Sequence, residues 1–232
     1  MADRERMLIV GAGSGLSAAL ARRAAQDGMD VVLAARDTAK LAALAKETGA
    51  ATVACDASQA DAVARLFDSV DAGGSRLDLV VYNASGRARG PIIDLDPAAV
   101  EQAVKVTAMG GFYVAQQATR RMLKQGRGTI LLTGASAGVK GYPRSSSFAM
   151  GKFALRGLAQ SLARELHPQN IHIGHVVIDG GIAKEGDSRA NERGPDGLLD
   201  PNAIAESYFQ LYRQPRSAWA WEIELRPWIE TF

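Results

Sequence analysis

A single cysteine, Cys55, occurs in the 232 residues. One thiol cannot close an intrachain disulfide or build a cysteine-based metal cluster, so Cys55 is expected to be a buried, inert packing group and no metal site is expected. A dominant charge is missing as well, since 27 Lys and Arg face 25 Asp and Glu for a net +2. That balance exerts little long-range pull on nucleic acid or on an anionic bilayer, and any cationic site has to be local. No apolar run approaches the ~20 residues that span a bilayer. The opening MADRERMLIV runs into a short strand without the apolar stretch of an export signal. The expectation is a cytoplasmic protein that acts on a small molecule, with neither nucleic acid nor membrane as partner.

What is present is an ordinary globular mixture, 47% apolar and 22% charged, at a length that one α/β core commonly fills, so a single domain over residues 1–232 is expected. Short aliphatic or β-branched runs recur at 7–10, 31–35, 51–55, 77–82, 128–133 and 171–178. Ala-rich segments with helical spacing follow them: 16–26, 38–47, 59–69, 97–122, 145–166 and 200–212. Strand and helix in alternation predict βαβ units, hence a doubly wound parallel sheet of about seven strands with helices on both faces. Asp96 before Pro97 has the grammar of a helix start. Residues 183–199 are rich in Gly, Pro and charge and too irregular for a helix; as a loop leaving a strand end they are expected to form a mobile substrate lid.

The first strand ends in Gly11-Ala12-Gly13-Ser14-Gly15-Leu16-Ser17 and passes directly into a helix. Glycines at such a junction permit a tight turn and let a pyrophosphate approach backbone N–H groups at a helix N-terminus. The second strand ends at Ala35, followed by Arg36. A carboxylate here would bind the ribose 2′-OH of NAD and repel a 2′-phosphate, whereas an arginine pairs with that phosphate, so NADP(H) is expected over NAD(H). Asp37 partly offsets that charge.

These motifs, in this order along nearly the whole chain, resemble the short-chain dehydrogenase/reductase family. Gly11-x3-Gly15 is similar to the family's cofactor loop, with Ser17 where a last glycine is usual. Asp56 and Ala57 resemble its adenine-contacting segment, and Asn83-Ala84-Ser85-Gly86 its Asn-Asn-Ala-Gly. Asp179-Gly180-Gly181-Ile182 stands where Pro-Gly-Pro-Ile is usual beside the nicotinamide. The resemblance implies cofactor contacts at Gly11, Gly13, Ser14, Gly15, Leu16, Arg36, Asp56, Ala57, Asn83, Ala84, Ser85, Lys152, Asp179, Gly180 and Ile182.

It also implies a catalytic set of Asn, Ser and Tyr-x3-Lys, in which the Lys lowers the Tyr pKa and holds the ribose, the Tyr protonates the carbonyl oxygen and the Ser orients it. Here the corresponding segment is Phe148-Ala149-Met150-Gly151-Lys152, the serine position is Ala135, and the asparagine position in the 97–122 helix is Thr107. Only Lys152 keeps the family's side chain. Phe has no titratable proton, so the family's acid–base route cannot run from position 148. Tyr142 is the first alternative donor, beside packing or wall roles; Ser136 faces the other way by strand alternation. Ser145, Ser146 and Ser147 are expected to cap the helix start, His172 and His175 to be structural, and Asp179 to be either functional or a turn residue.

The expected function is that of an NADP(H)-dependent oxidoreductase with a divergent site, the proton coming from water, a Lys152–ribose relay or Tyr142. The alternative is a catalytically inactive NADP(H)-binding sensor or assembly module. A homodimer or homotetramer is expected through helices 97–122 and 145–166 and the aromatic tail around 217–226, unless its tryptophans only pack on their own sheet.

Overall fold

The structure is a computed structural model in which residues 4–74, 76–184 and 186–231 are described. Seven parallel strands, β1 (Arg6–Val10), β2 (Asp30–Ala35), β3 (Ala51–Ala54), β4 (Leu79–Tyr82), β5 (Gly128–Thr133), β6 (Ile171–Ile178) and β7 (Glu222–Leu225), lie in the order β3-β2-β1-β4-β5-β6-β7. Their aliphatic runs are continuous because both faces are covered. Met7 and Ile9 point into one core with Leu33, Val81 and Val176. Leu8 and Val10 point into the other with Val80, Ile130 and Leu132. The first core is roofed by α1 (Leu16–Gln26) and α8 (Pro201–Tyr212), with α2 (Ala42–Thr48) at its margin. The second is roofed by α3 (Ala60–Ala72), α5 (Gly110–Gln125) and α6 (Ser146–Leu166). Asp96 does cap α4 (Pro97–Val104), accepting the Ala98 amide at 3.1 Å.

The chain winds outward from β1 to β3 and then returns to set β4 on the opposite side of β1. At that reversal α1 leaves for one face of the sheet and α5 and α6 cover the other, which leaves a crevice above the carboxyl ends of the strands, the place where open α/β sheets bind ligands.

Three local expectations are corrected, and the tail takes a definite place on the sheet. The 97–122 helix is divided: α4 gives way to one wide π-type turn, Lys105–Met109, before α5. Tyr82 donates its hydroxyl hydrogen to Val106 O inside this turn, and a Cβ on Gly110 would meet Ala57 O at 2.7 Å, so sheet and helix approach too closely for a regular α-turn with a side chain there. The stretch at 183–199 does contain a helix, α7 (Arg189–Arg193), and is tied back by an Ile182–Leu199 bridge; its Glu185 lies outside the described residues. The run around 217–226 supplies the edge strand β7, and Trp219 stacks on His172 with ring centroids 4.7 Å apart, so this ring packs on its own sheet. Ser145 does sit at the start of α6, yet no side chain caps it; the Ser147 hydroxyl bonds to Ala88 instead. No helix among the described residues is long and apolar enough to cross a membrane.

Candidate active site

The crevice holds a cavity of about 710 Å³ whose floor is the glycine loop, including Gly11, Gly13 and Ser14. Gly11 has φ +87°, and a Cβ there would lie 2.5 Å from Ala84 Cα, so only glycine lets the loops after β1 and β4 close on each other. Gly13 and Gly15 are different: a Cβ on either would meet nothing within 4 Å. Their bareness keeps open the space before α1, which starts at Leu16 with no side-chain cap and no acid in its first turn. Uncapped first-turn amides with the positive end of the helix dipole suit a phosphate. Leu16 turns its side chain into the core and presents only backbone here. Ser17 replaces a glycine with a hydrogen-bonded strut: its hydroxyl donates to Gly11 O at 3.1 Å and accepts from Asn83 Nδ2 at 2.7 Å, clamping the two loops. Nothing in the residue pattern alone had assigned Ser17 that task.

At the β2 end of the cavity Arg36 is exposed, and no ion pair engages it among the described residues. Asp37, expected to offset it, is instead committed to the Ala39 amide at 3.1 Å and to Lys40 Nζ at 3.4 Å. Lys40 lines the same cavity, a second cation that sequence reasoning missed although it stands four residues after Arg36. Asp56 and Ala57 line the wall beside Asn83, Ala84 and Ser85. Asp56 is held by the Ser58 amide and hydroxyl at 3.0 and 2.8 Å. Burial pushes the Cys55 thiol up to about 11, which makes it inert as expected. Glycine-bare space before a helix and two cations at its far end fit a phosphorylated dinucleotide such as NADP(H).

Beyond Arg87, the last of the loop residues 83–87 to line the cavity, lies α6. Lys152 is buried, and its Nζ donates to Thr133 O at 2.6 Å. Burial, then the charge of Arg87, lowers its ammonium to about 7. One turn earlier on the same face lies the Phe148 ring, 7% exposed, its centroid 5.6 Å from Lys152 Nζ. The Arg87 guanidinium covers that ring at 3.6 Å. Thr107, at the π-type turn, accepts the Gly86 amide at 2.9 Å and donates to Ala103 O at 2.9 Å, so it fixes the loop that carries Arg87. Ala135 follows β5 in extended backbone and contributes no polar atom beyond its main chain.

Lys152, Phe148 and Thr107 thus come together, while Tyr142 is 41% exposed with its ring 5.8 Å from Lys140 Nζ and, among the described residues, makes no hydrogen bond or ring contact with those three. Asp179 is buried between Arg226 at 3.4 Å and Lys140 at 3.9 Å, a charge clasp and more than a turn residue. Gly180 packs against Pro227, where a Cβ would come within 2.7 Å of Cδ, and Ile182 packs on the core beside Leu199. His172 and His175 are buried, with His175 Nδ1 2.9 Å from a Glu222 carboxylate that Arg156 also grips. The signal for Arg87 was its position directly after Asn83–Gly86.

A profile of the short chain dehydrogenase family matches residues 5–192. The 3-oxoacyl-[acyl-carrier-protein] reductase MabA of Mycobacterium tuberculosis is 29% identical over 193 residues, 83% of this chain and 75% of that protein. A crystal structure of a short-chain dehydrogenase from Rhodopseudomonas palustris superposes with a TM-score of 0.84 at 33% identity, covering 97% of this chain and 99% of the other. A metagenomic short-chain oxidoreductase in complex with NADP gives a TM-score of 0.84 at 28% identity over 96% and 97% of the two chains.

Proposed function

The chain belongs to the short-chain dehydrogenase/reductase family, and from that premise we propose that it is an NADP(H)-dependent oxidoreductase whose proton donor is not residue 148. The observation that carries the cofactor preference is the pair Arg36 and Lys40 at the end of β2, with Asp37 turned to Lys40 and no carboxylate on Arg36 among the described residues. When bound, NADPH supplies the hydride. Gly13, Gly15 and the start of α1 bind its pyrophosphate, Arg36 and Lys40 its 2′-phosphate, and Ser17 with Asn83 keeps the cradle in shape. Lys152 holds a proton at Nζ that a group lowered to about 7 can release at neutral pH, and it would contact the cofactor ribose. Phe148 walls the site from solvent. The mycobacterial relative named above makes 3-oxoacyl thioesters a natural part of the substrate panel, beside ketones, aldehydes, imines and enoyl thioesters.

Calorimetric titration tests the cofactor reading. NADPH is expected to bind about 10- to 100-fold more tightly than NADH, the range of a charge-assisted hydrogen bond, and Arg36→Ala to remove most of that margin. Equal affinities, or an unchanged NADPH affinity in Arg36→Ala, would refute it. A second reading, an NADP(H)-binding module without turnover, is favoured by the loss of hydroxyls at 135 and 148 together. Cofactor binding with no NADPH consumption across the substrate panel selects it.

Self-association belongs to the same proposal. Met109, Phe112, Met150 and Phe153 are 41–54% exposed on or beside α5 and α6, the two helices expected to meet a second copy. Light scattering is expected to give twice or four times the 24.5 kDa chain mass, and one chain's mass at all micromolar concentrations would exclude it.

A further inference from the structure

Arg87 has no part in the cofactor chemistry proposed above, yet it is built into the site with care. It lines the same cavity as the glycine loop, its guanidinium carbon 3.6 Å from the centroid of the Phe148 ring. A guanidinium stacked at that distance gives one face to the ring and keeps its N–H donors edge-on, free to turn toward a ligand. Among the described residues none of those donors meets a protein acceptor or a carboxylate. The contrast within the molecule is plain, since Arg22, Arg156 and Arg189 each grip a carboxylate with two N–H groups.

The backbone beneath Arg87 is pinned on both sides. The Gly86 amide donates to Thr107 Oγ1 at 2.9 Å, Ala88 exchanges two hydrogen bonds with the Ser147 hydroxyl at 2.9 and 2.8 Å, and the Gly90 amide donates to Arg144 O at 3.3 Å. A side chain on a fixed platform loses little freedom when it takes a ligand. Its charged surroundings add to this. Arg87 is exposed at the cavity; partial desolvation by the ring beneath it and the nearby Arg89 lower its pKa, and Arg87 in turn acts on Lys152. Three cations gathered with no carboxylate among the described residues to offset Arg87 form a region that an incoming anion stabilises. Thr107, Ser147 and Phe148 therefore share one task, seating this arginine.

We propose that Arg87, seated on Phe148, is the anchor for a carboxylate carried by the substrate. The inference rests on the oxidoreductase reading for the word substrate, and it narrows the class to oxo acids or unsaturated acids in preference to neutral ketones. The anion that meets Arg87 has a rival source, the pyrophosphate of the cofactor, and the experiment separates the two.

Wild type, Arg87→Gln and Arg87→Lys, each checked for an unchanged melting transition, are titrated with 2-oxobutanoate, 3-oxobutanoate and 4-oxopentanoate and with the neutral amide of each acid. Binding is followed by ligand-observed NMR, with saturating NADP+ and again without cofactor. At least one acid is expected to bind wild type about 10- to 100-fold more tightly than its amide, Arg87→Gln to erase that preference, and Arg87→Lys to keep part of it. Acid and amide binding alike in wild type across the panel, or an acid preference that survives Arg87→Gln, overturns the proposal. So does a tenfold weaker NADP+ affinity in Arg87→Gln with no change in acid preference, because the anion would then be the cofactor's phosphate. No turnover enters this measurement, so a protein that fails to consume NADPH can still show the Arg87-dependent preference, and an active reductase can lack it.

Discussion

Phe148→Tyr combined with Ala135→Ser is expected to raise NADPH-dependent reduction of a simple diketone or aldehyde by about 10²- to 10⁴-fold over wild type, the usual contribution of one positioned general acid. That factor corresponds to ~3 to 5 kcal/mol of barrier. The phenyl ring at 148 carries no exchangeable proton, and Ala135 offers no side-chain donor to orient a substrate oxygen. The rest of the device is present. Lys152 Nζ is 5.6 Å from the ring centroid, and Arg87 lies over the ring, so a phenol placed there would meet two cations that favour its ionised form. Phe148→Tyr alone is expected to gain less, because the oxygen it protonates would remain unheld. Steady-state rates at saturating NADPH decide the matter. A wild type that already reduces simple carbonyls rapidly, with no gain in the double variant, would place the acid elsewhere, and Tyr142→Phe would be the next variant to make.

Lys152→Met is expected to stabilise the cofactor-free protein while weakening NADPH binding. Lys152 is 3% exposed, and its ammonium falls from 10.5 to about 7 through burial and the Arg87 charge. Because the folded-state pKa is the lower one, the unfolded chain holds more protons between about 7 and 10.5, and stability rises with pH through that window. Below it the lysine is charged in both states and the full cost of burying the charge applies, on the order of 5 kcal/mol at ~1.4 kcal/mol per tenfold change in proton affinity. Methionine fills similar volume without the charge, and loses only the bond to Thr133 O, a deficit of about 1 to 3 kcal/mol. Unfolding free energies from denaturant titrations near pH 6 and near pH 10 are therefore expected to rise with pH in wild type and to be flatter in Lys152→Met, with the variant ahead at the lower pH by about 2 to 4 kcal/mol. A variant less stable than wild type at both values, or a flat wild-type profile, would show that the buried ammonium is compensated by groups other than those named here.

The two predictions join at one point. The site keeps a costly buried lysine beside a ring that has no proton to give. On the function proposed above, that charge is kept because Lys152 contacts the cofactor or moves a proton itself, and on the further proposal the stacked Arg87 meets the substrate.

The amino-acid sequence determined the architecture, because the features that specify it act locally. Continuous aliphatic runs and Ala-rich helical spacing marked six of the seven strands and the major helices, and Gly11 to Gly15 marked the tight loop between β1 and α1, since steric freedom at a glycine is a property of that residue. The substitutions at 107, 135 and 148 were likewise visible as departures from a known order. What the tertiary structure alone decided are the partnerships between residues distant along the chain. The π-type turn at Lys105–Met109 depends on Tyr82 reaching Val106 O, and the strut from Ser17 depends on Asn83 arriving 66 residues later. β7 escaped the sequence reading because four residues of mixed polarity become a strand only when β6 offers its edge. Nothing in the sequence singled out Arg87; the folded chain stacks it on Phe148, 61 positions away, and pins its backbone to Thr107 and Ser147. Hydrogen bonds and stacking fall off within a few ångströms, so which residues they join is settled by the path of the chain in space, which residue order specifies only through the fold.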